Sequence, residues 1–190
     1  MHDQLTPEEQ RILLRLAREA MAIRVKGEKL PRLDLSSMPA RLKEDGASFV
    51  TLTIEGNLRG CIGALEAYQP LAEDVREHAI AAALDDPRFA PVSELELNGI
   101  KIEVSCLTRP QPFAYANAED LIARLRPHVD GVILRDGFGH RATFLPQVWE
   151  KILDPAEFLS QLCAKMGLSE TAWRTKHLDV SVYQVEEFHE

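Results

Sequence analysis

The run Asn57-Leu58-Arg59-Gly60-Cys61-Ile62-Gly63 sets a guanidinium two residues from a thiol and places glycines beside both. In an extended strand, residues i and i+2 share a face about 7 Å apart. Arg59, Cys61, Gly63 and Leu65 then point one way, and Leu58, Gly60, Ile62 and Ala64 the other. A guanidinium within reach of a thiol favours the thiolate, the nucleophilic form, so Cys61 is expected to be more acidic than a free cysteine. Gly63 leaves a hole beside the sulfur, and Gly60 lets another backbone approach the opposite face closely. Glycines weaken a strand, so the segment reads as one that keeps a small cavity open beside a polarised thiol. Cys61 is the candidate catalytic residue on this reading. A second reading stands beside it: a free cysteine packs as a small hydrophobe, and glycines serve a bulge or a tight bend.

Other side chains with chemical potential are fewer. Asp86 and Arg88, in DDPRF, have a structural explanation, since aspartate before proline ends a helix and arginine pairs with it. Glu103 lies opposite Ile102 and Val104 on a strand, either solvated or aimed at a cleft. His78 falls beside an apolar helical stripe and reads as a satisfied, partly buried histidine, whereas His140 sits at a glycine-rich turn. His2, His128, His177 and His189 carry no signal. The three cysteines, Cys61, Cys106 and Cys163, are odd in number and widely spaced, as expected of reduced thiols in a cytoplasm. No CxxC or HExxH spacing occurs, so no metal site and no cofactor is expected.

The elements that must hold these residues follow from capping signals and periodicity. Thr6-Pro7-Glu8-Glu9 starts a helix, carried by Leu13, Leu16, Ala17, Ala20 and Ile23 and stopped near Gly27. Residues 28–46 read as loop with a short helix after Pro39. Phe49 to Ile54 is a strand, Glu55-Gly56-Asn57 a hairpin turn, and Leu58 to Leu65 the returning strand. A helix starts at Pro70 and ends at Asp85-Asp86-Pro87; Ser93 to Glu96 caps one more turn, and residues 101–107 form a strand. Arg109-Pro110-Gln111-Pro112 marks the crossing into a second lobe. That lobe holds a helix near 119–126, a hairpin from Gly131 to Leu145 and a capped helix from Asp154 to Gly167. The tail from Leu178 to Phe188 alternates as one last strand. Hairpin-joined strands without a βαβ rhythm predict an α+β fold with antiparallel sheets.

Composition narrows the function classes. The 190 residues can bury a real core, and 45% apolar with 27% charged residues is ordinary for a soluble globular chain. Twenty-two Lys and Arg against 30 Asp and Glu leave a net charge of −8 with no basic cluster. That argues against general nucleic-acid binding, whose affinity comes from neutralising phosphates. The N-terminus MHDQLTPEEQ is polar and acidic, unlike a signal or transit peptide, and no apolar run approaches the ~20 residues needed to span a bilayer. A cytoplasmic location with no membrane partner is expected.

LRGCIG, a proline-started helix, DPRF, IEVSCLT, DGVIL, FLPQVWE and FLSQLCAKMGL, in that order, resemble the AMMECR domain family over nearly the whole chain. Its prokaryotic members include the A protein of the AmmeMemoRadiSam system. The resemblance implies two α+β subdomains, each with an antiparallel sheet and flanking helices, joined by two loops around a cleft. The larger, holding both termini, would span about 1–108 plus 176–190, and the smaller about 109–175. The resemblance also implies that Leu58, Arg59, Gly60, Cys61, Ile62 and Gly63 face the cleft as ligand-binding positions; Asp86, Arg88 and Glu103 are candidate neighbours of that cleft from their own places in the sequence. A Memo-like protein and a radical-SAM protein are the implied partners. No established reaction accompanies the family. Two readings stand: a cleft protein binding an anionic or carbonyl-bearing ligand at the Arg59/Cys61 wall, with thiol chemistry, or a non-catalytic accessory module that grips a partner protein.

Overall fold

Helix α1 (Pro7–Val25) begins where its signals sit. The Thr6 hydroxyl accepts from the Glu9 amide at 3.3 Å, the Glu9 carboxylate accepts from the Thr6 amide at 2.8 Å, and Pro7 fills the first turn. The computed structural model describes residues 4–190; Met1, His2 and Asp3 lie outside the described residues. A short α2 (Ala40–Lys43) leads into β1 (Asp45–Ile54), which turns through Glu55-Gly56 into β2 (Asn57–Gly63). Both turn residues have positive φ, 51° and 80°, the primed geometry whose twist matches the strands it joins. β1 starts earlier than the expected Phe49 because Asp45 and Gly46 pair with β3 (Gln69–Pro70). α3 (Leu71–Leu84) follows, and then β4 (Ile100–Leu107).

The chain beyond β4 forms β5 (Gln111–Pro112), α4 (Ala118–Arg124), β6 (Gly131–Arg135), β7 (Arg141–Phe144), α5 (Pro155–Lys165), α6 (Ala172–Thr175), β8 (Asp179–Tyr183) and β9 (Val185–His189). Two compact units result. One contains the described residues up to Leu107 together with Glu186–Glu190, and the other Thr108–Val185. The first unit's sheet runs β2-β1-β4-β9, with β3 also on β1; the second runs β5-β8-β6-β7. Antiparallel sheets flanked by helices make the fold α+β, in line with the sequence.

The tail departs from expectation. It is two strands rather than one, and residues 176–185 belong with the second unit instead of the first. β8 pairs with β6 and β5, whereas β9 joins β4. The break falls at Gln184, whose amide donates to the Thr108 hydroxyl at 2.8 Å while its carbonyl accepts from the Thr108 amide at 2.8 Å. With its main-chain groups spent on Thr108, Gln184 cannot extend β8.

In the first unit α3 packs on both α1 and β1, and Leu13, Met21, Val50, Leu52, Val75 and Ile102 are fully enclosed. Each such side chain contributes roughly 1.5–3 kcal/mol of burial free energy. The enclosed stripe of α3 also carries polar groups. Asp74 accepts from the Ser48 hydroxyl at 2.6 Å and lies 3.1 Å from Nδ1 of His78, so the buried histidine expected at that position is present and partnered. The second unit is centred on Trp149, which stacks on Phe158 at 3.7 Å and donates its indole N–H to the Asp130 carbonyl at 2.7 Å. Among the described residues no helix is long and apolar enough to cross a membrane.

Candidate functional site

Strand pairing sorts the first sheet into two faces. Val50 lies opposite Ile62 and Val104, and Leu52 opposite Gly60 and Ile102; these turn toward the helices. On the other face Phe49 is flanked by Gly63 and Ser105, Thr51 by Cys61 and Glu103, and Thr53 by Leu58 and Lys101. Cys61, Thr51 and Glu103 thus form one row across β2, β1 and β4, all half-buried. The Thr51 hydroxyl donates to the Cys61 sulfur at 3.3 Å. Cys106 and Cys163 are buried and their thiols are pushed up by that burial, so Cys61 is the one cysteine of three that reaches solvent.

Arg59 does not stand beside Cys61 as plain alternation requires. The register passes from Leu52–Gly60 to Thr53–Leu58, leaving Arg59 as the extra residue of a bulge. Its guanidinium grips Glu96 through Nε at 2.7 Å and Nη2 at 3.3 Å, with the Phe89 ring centroid 6.0 Å away. Arg59 and the two Ser93 groups that hydrogen-bond to it lower Glu96 to about 2, against the cost of burial. The bulge also moves Leu58 from the expected Gly60 face to a place opposite Thr53, 44% exposed.

The glycines divide. A Cβ on Gly60 would sit 2.0 Å from the Ala82 carbonyl oxygen, so Gly60 does admit a close backbone, that of α3. Gly63 leaves no hole. A Cβ there would meet the Phe49 ring and the Ser48 carbonyl oxygen at 2.4 Å, because the cross-strand aromatic ring already covers that position. Gly60 and Ile62 therefore serve the helix-facing core, and the wall itself is made by Cys61, Thr51, Glu103 and Leu58.

The DDPRF segment has a more specific task than ending a helix. β2 is an edge strand, so the amide and carbonyl of Cys61 that face away from β1 need partners. The Asp86 carboxylate accepts from the Cys61 amide at 2.8 Å, and Arg88 Nη2 donates to the Cys61 carbonyl at 3.2 Å. The two side chains are themselves joined in a fork, Nε to Oδ1 at 2.9 Å and Nη2 to Oδ2 at 2.7 Å. The Arg88 guanidinium holds the Asp86 carboxyl well below the usual carboxylate range, helped by the amides of Cys61 and Arg88 and opposed by burial. Arg88 is raised in turn, by Asp86 first and to a smaller degree by the Cys61 side chain. The cation placed against Cys61 is thus Arg88, through the Cys61 carbonyl, rather than Arg59.

Thr51 and Glu96 escape sequence reasoning, since both depend on a register displaced by the bulge. His140 is held by Asp136 at 2.7 Å, a staple within its own turn. In the second unit, hollows of about 330 and 420 Å³ flank the stacked Tyr115–His177 pair and contain no residue of the motif. Among the described residues no group of three or more His, Cys, Asp or Glu is arranged to hold a metal ion.

The AMMECR1 family model matches residues 14–188. A protein of Methanothermobacter thermautotrophicus is 40% identical over 187 residues, covering 98% of this chain and 96% of its own length. Protein MK0488 of Methanopyrus kandleri is 37% identical over 194 residues, with 100% and 92% covered. The crystal structure of the uncharacterized protein PH0010 from Pyrococcus horikoshii is similar with a TM-score of 0.75 at 33% identity, covering 98% of this chain and 93% of that one.

Proposed function

Because the chain belongs to the AMMECR1 family, we propose that it is a ligand-binding protein whose working surface is the Cys61 face of the first sheet, with Cys61 lining the site and serving as nucleophile toward a carbonyl-bearing group. What carries this reading is the way Cys61 is held. Both of its outward main-chain groups are fixed by the Asp86–Arg88 fork, while its side chain stays half-exposed against the Thr51 hydroxyl. A strand position fixed by three separate partners keeps the sulfur in one place, which is what a reacting or orienting group requires. Thr51 supplies a donor to the sulfur, and Arg88 holds the main chain that carries it. Of the motif, Leu58 and Cys61 contact ligand on this reading, while Arg59, Gly60, Ile62 and Gly63 shape the strand that presents them. The protein acts in the cytoplasm, in a pathway with a Memo-like and a radical-SAM protein.

The test is site-resolved labelling with iodoacetamide, followed by mass spectrometry. In the folded protein Cys61 is expected to react faster than in a synthetic Leu58–Gly63 peptide, and Arg88→Gln and Thr51→Val are each expected to change its rate several-fold. A Cys61 that reacts like the peptide and ignores both substitutions would show no built site.

A second reading, an accessory module gripping a partner protein, is favoured by Leu58 and Leu95. These large apolar side chains, 44% and 94% exposed, sit next in sequence to the paired Arg59 and Glu96. Capture of the Memo-like or radical-SAM protein that survives Cys61→Ala and is lost with Leu58→Glu or Leu95→Glu would support it.

A further inference from the structure

The two arginines of the motif region are not free to take an anion. Each of the two guanidiniums nearest the motif is matched by its own carboxylate, Arg59 by Glu96 and Arg88 by Asp86, in two-pronged pairs. Neither has a full positive charge to offer a ligand. Glu103 is different. It is half-buried, it stands in the Cys61–Thr51 row, and its carboxylate makes no hydrogen bond and no ion pair among the described residues. Lys101, its same-face neighbour two residues back, is exposed and makes no pair with it. The adjacent strand β9 turns Phe188 into the core, so by alternation Glu187 and His189 are carried on the Glu103 face.

Resting on the reading of the Cys61 face as the ligand site, we infer that its ligand is cationic: an amine- or guanidine-bearing molecule whose positive group lies on Glu103 and whose neutral carbonyl end reaches Cys61 across Thr51. The geometry sets the spacing. Adjacent strands are about 4.8 Å apart, so the Cys61 and Glu103 backbones are separated by roughly 10 Å, with Thr51 midway. A half-buried carboxylate without a counter-ion carries a desolvation cost that an incoming ammonium relieves. The thiol and the threonine hydroxyl between them suit an uncharged polar group. The expected sign is therefore opposite to the one that an arginine next to a cysteine suggests in the sequence.

Three small amides with a four-carbon backbone test it: 4-aminobutanamide as the cation, butanamide as the neutral form and succinamate as the anion. Their binding is followed through the amide chemical shifts of Thr51, Cys61 and Glu103 in the full chain. The cationic amide is expected to saturate with a Kd about fivefold or more below that of butanamide, a preference that shrinks as salt is added. Glu103→Gln should abolish the preference, and Glu103→Lys should turn it toward succinamate, with the dispersion of the remaining resonances showing that both variants stay folded. A preference for succinamate in the wild type, a cation preference that survives Glu103→Gln, or no saturable shift with any of the three would overturn the inference. The readout does not require the thiol to react, so an inert Cys61 with an intact cation preference would sink the nucleophile reading and leave this one standing.

Discussion

Gly60→Ala is the most direct test of how the first unit is assembled. The added methyl carbon would lie 2.0 Å from the Ala82 carbonyl oxygen and 3.0 Å from its carbon, both main-chain atoms in the last turns of α3. No side chain can rotate away, so α3 must withdraw by roughly 1.4 Å to restore ordinary contact. Overpacking typically costs about 1–3 kcal/mol, and an obstruction by backbone belongs at the upper end. Removing a glycine stiffens the unfolded chain and returns about 0.4–1 kcal/mol. A net loss of about 2–3 kcal/mol is expected, a large share of the 5–15 kcal/mol that a domain usually has. Both tryptophans, Trp149 and Trp173, are in the second unit, so indole fluorescence reports that unit and amide exchange must report the first. In urea, the amides of β1 and β4 should lose protection at lower denaturant while the fluorescence transition moves less. The Cys61 amide should exchange fastest of all, because the shift of α3 carries Asp86 away from it. Gly137→Ala is the control, since nothing lies within 4 Å of a Cβ there; it should change stability by less than ~0.5 kcal/mol. If Gly60→Ala behaves like Gly137→Ala, the close approach of α3 to β2 is wrong.

Other expectations follow from single contacts. Glu96 falls from an ordinary 4.5 to about 2 in the folded protein, so its stabilisation is complete above pH 4.5 and disappears as the pH drops toward 2. With its side chain 31% exposed, about 1 kcal/mol survives screening, and Glu96→Gln should flatten the acid limb of a pH–stability curve by that amount. Asp86→Asn weakens the fork with Arg88 and the acceptor for the Cys61 amide; a lower Tm and faster exchange at that amide should appear together. Trp149→Phe leaves the Asp130 carbonyl without its 2.7 Å donor in a dry core, at a cost of about 1–3 kcal/mol read from the fluorescence of Trp173 in urea.

Much of the fold was legible because its signals are local. The Thr6–Glu9 capping box, the Glu55-Gly56 turn and the Asp154-Pro155 helix start each lie within a few residues, and each is found where the sequence places it. The tail shows where local pattern fails. Strand-forming residues run from Val180 through Phe188 with no glycine or proline between them, yet Gln184 separates two sheets. Period two reports that a chain is extended and says nothing of its neighbour. Only the pairing of Gln184 with Thr108, 76 residues away, reveals the break.

The candidate site repeats that lesson in a form that decides chemistry. The turn alone fixes a register in which Thr53 meets Leu58, and carried on unbroken it would set Leu52 against Arg59 and Thr51 against Gly60. That register would turn Arg59 into the helix-facing core beside Leu52 and press Gly60 against the open face, where its missing side chain does nothing. One bulged residue resolves both conflicts. Gly60 moves under the Ala82 carbonyl, the one position in β2 that tolerates it, and Arg59 is released to meet Glu96, 37 residues on. The same step brings Cys61 opposite Thr51, in line with Glu103 and within reach of Arg88. The thiol was thus visible in the sequence, but its companions were not, because they are chosen by a steric demand of α3 on β2 rather than by spacing along either strand. Deleting Arg59 should therefore remove the bulge and the partner of Glu96 while keeping both registers, because Gly60 then follows Leu58 directly and still meets Leu52: Cys61 should stay opposite Thr51 in the Asp86–Arg88 fork with its amide protected, and loss of that protection would refute the register argument.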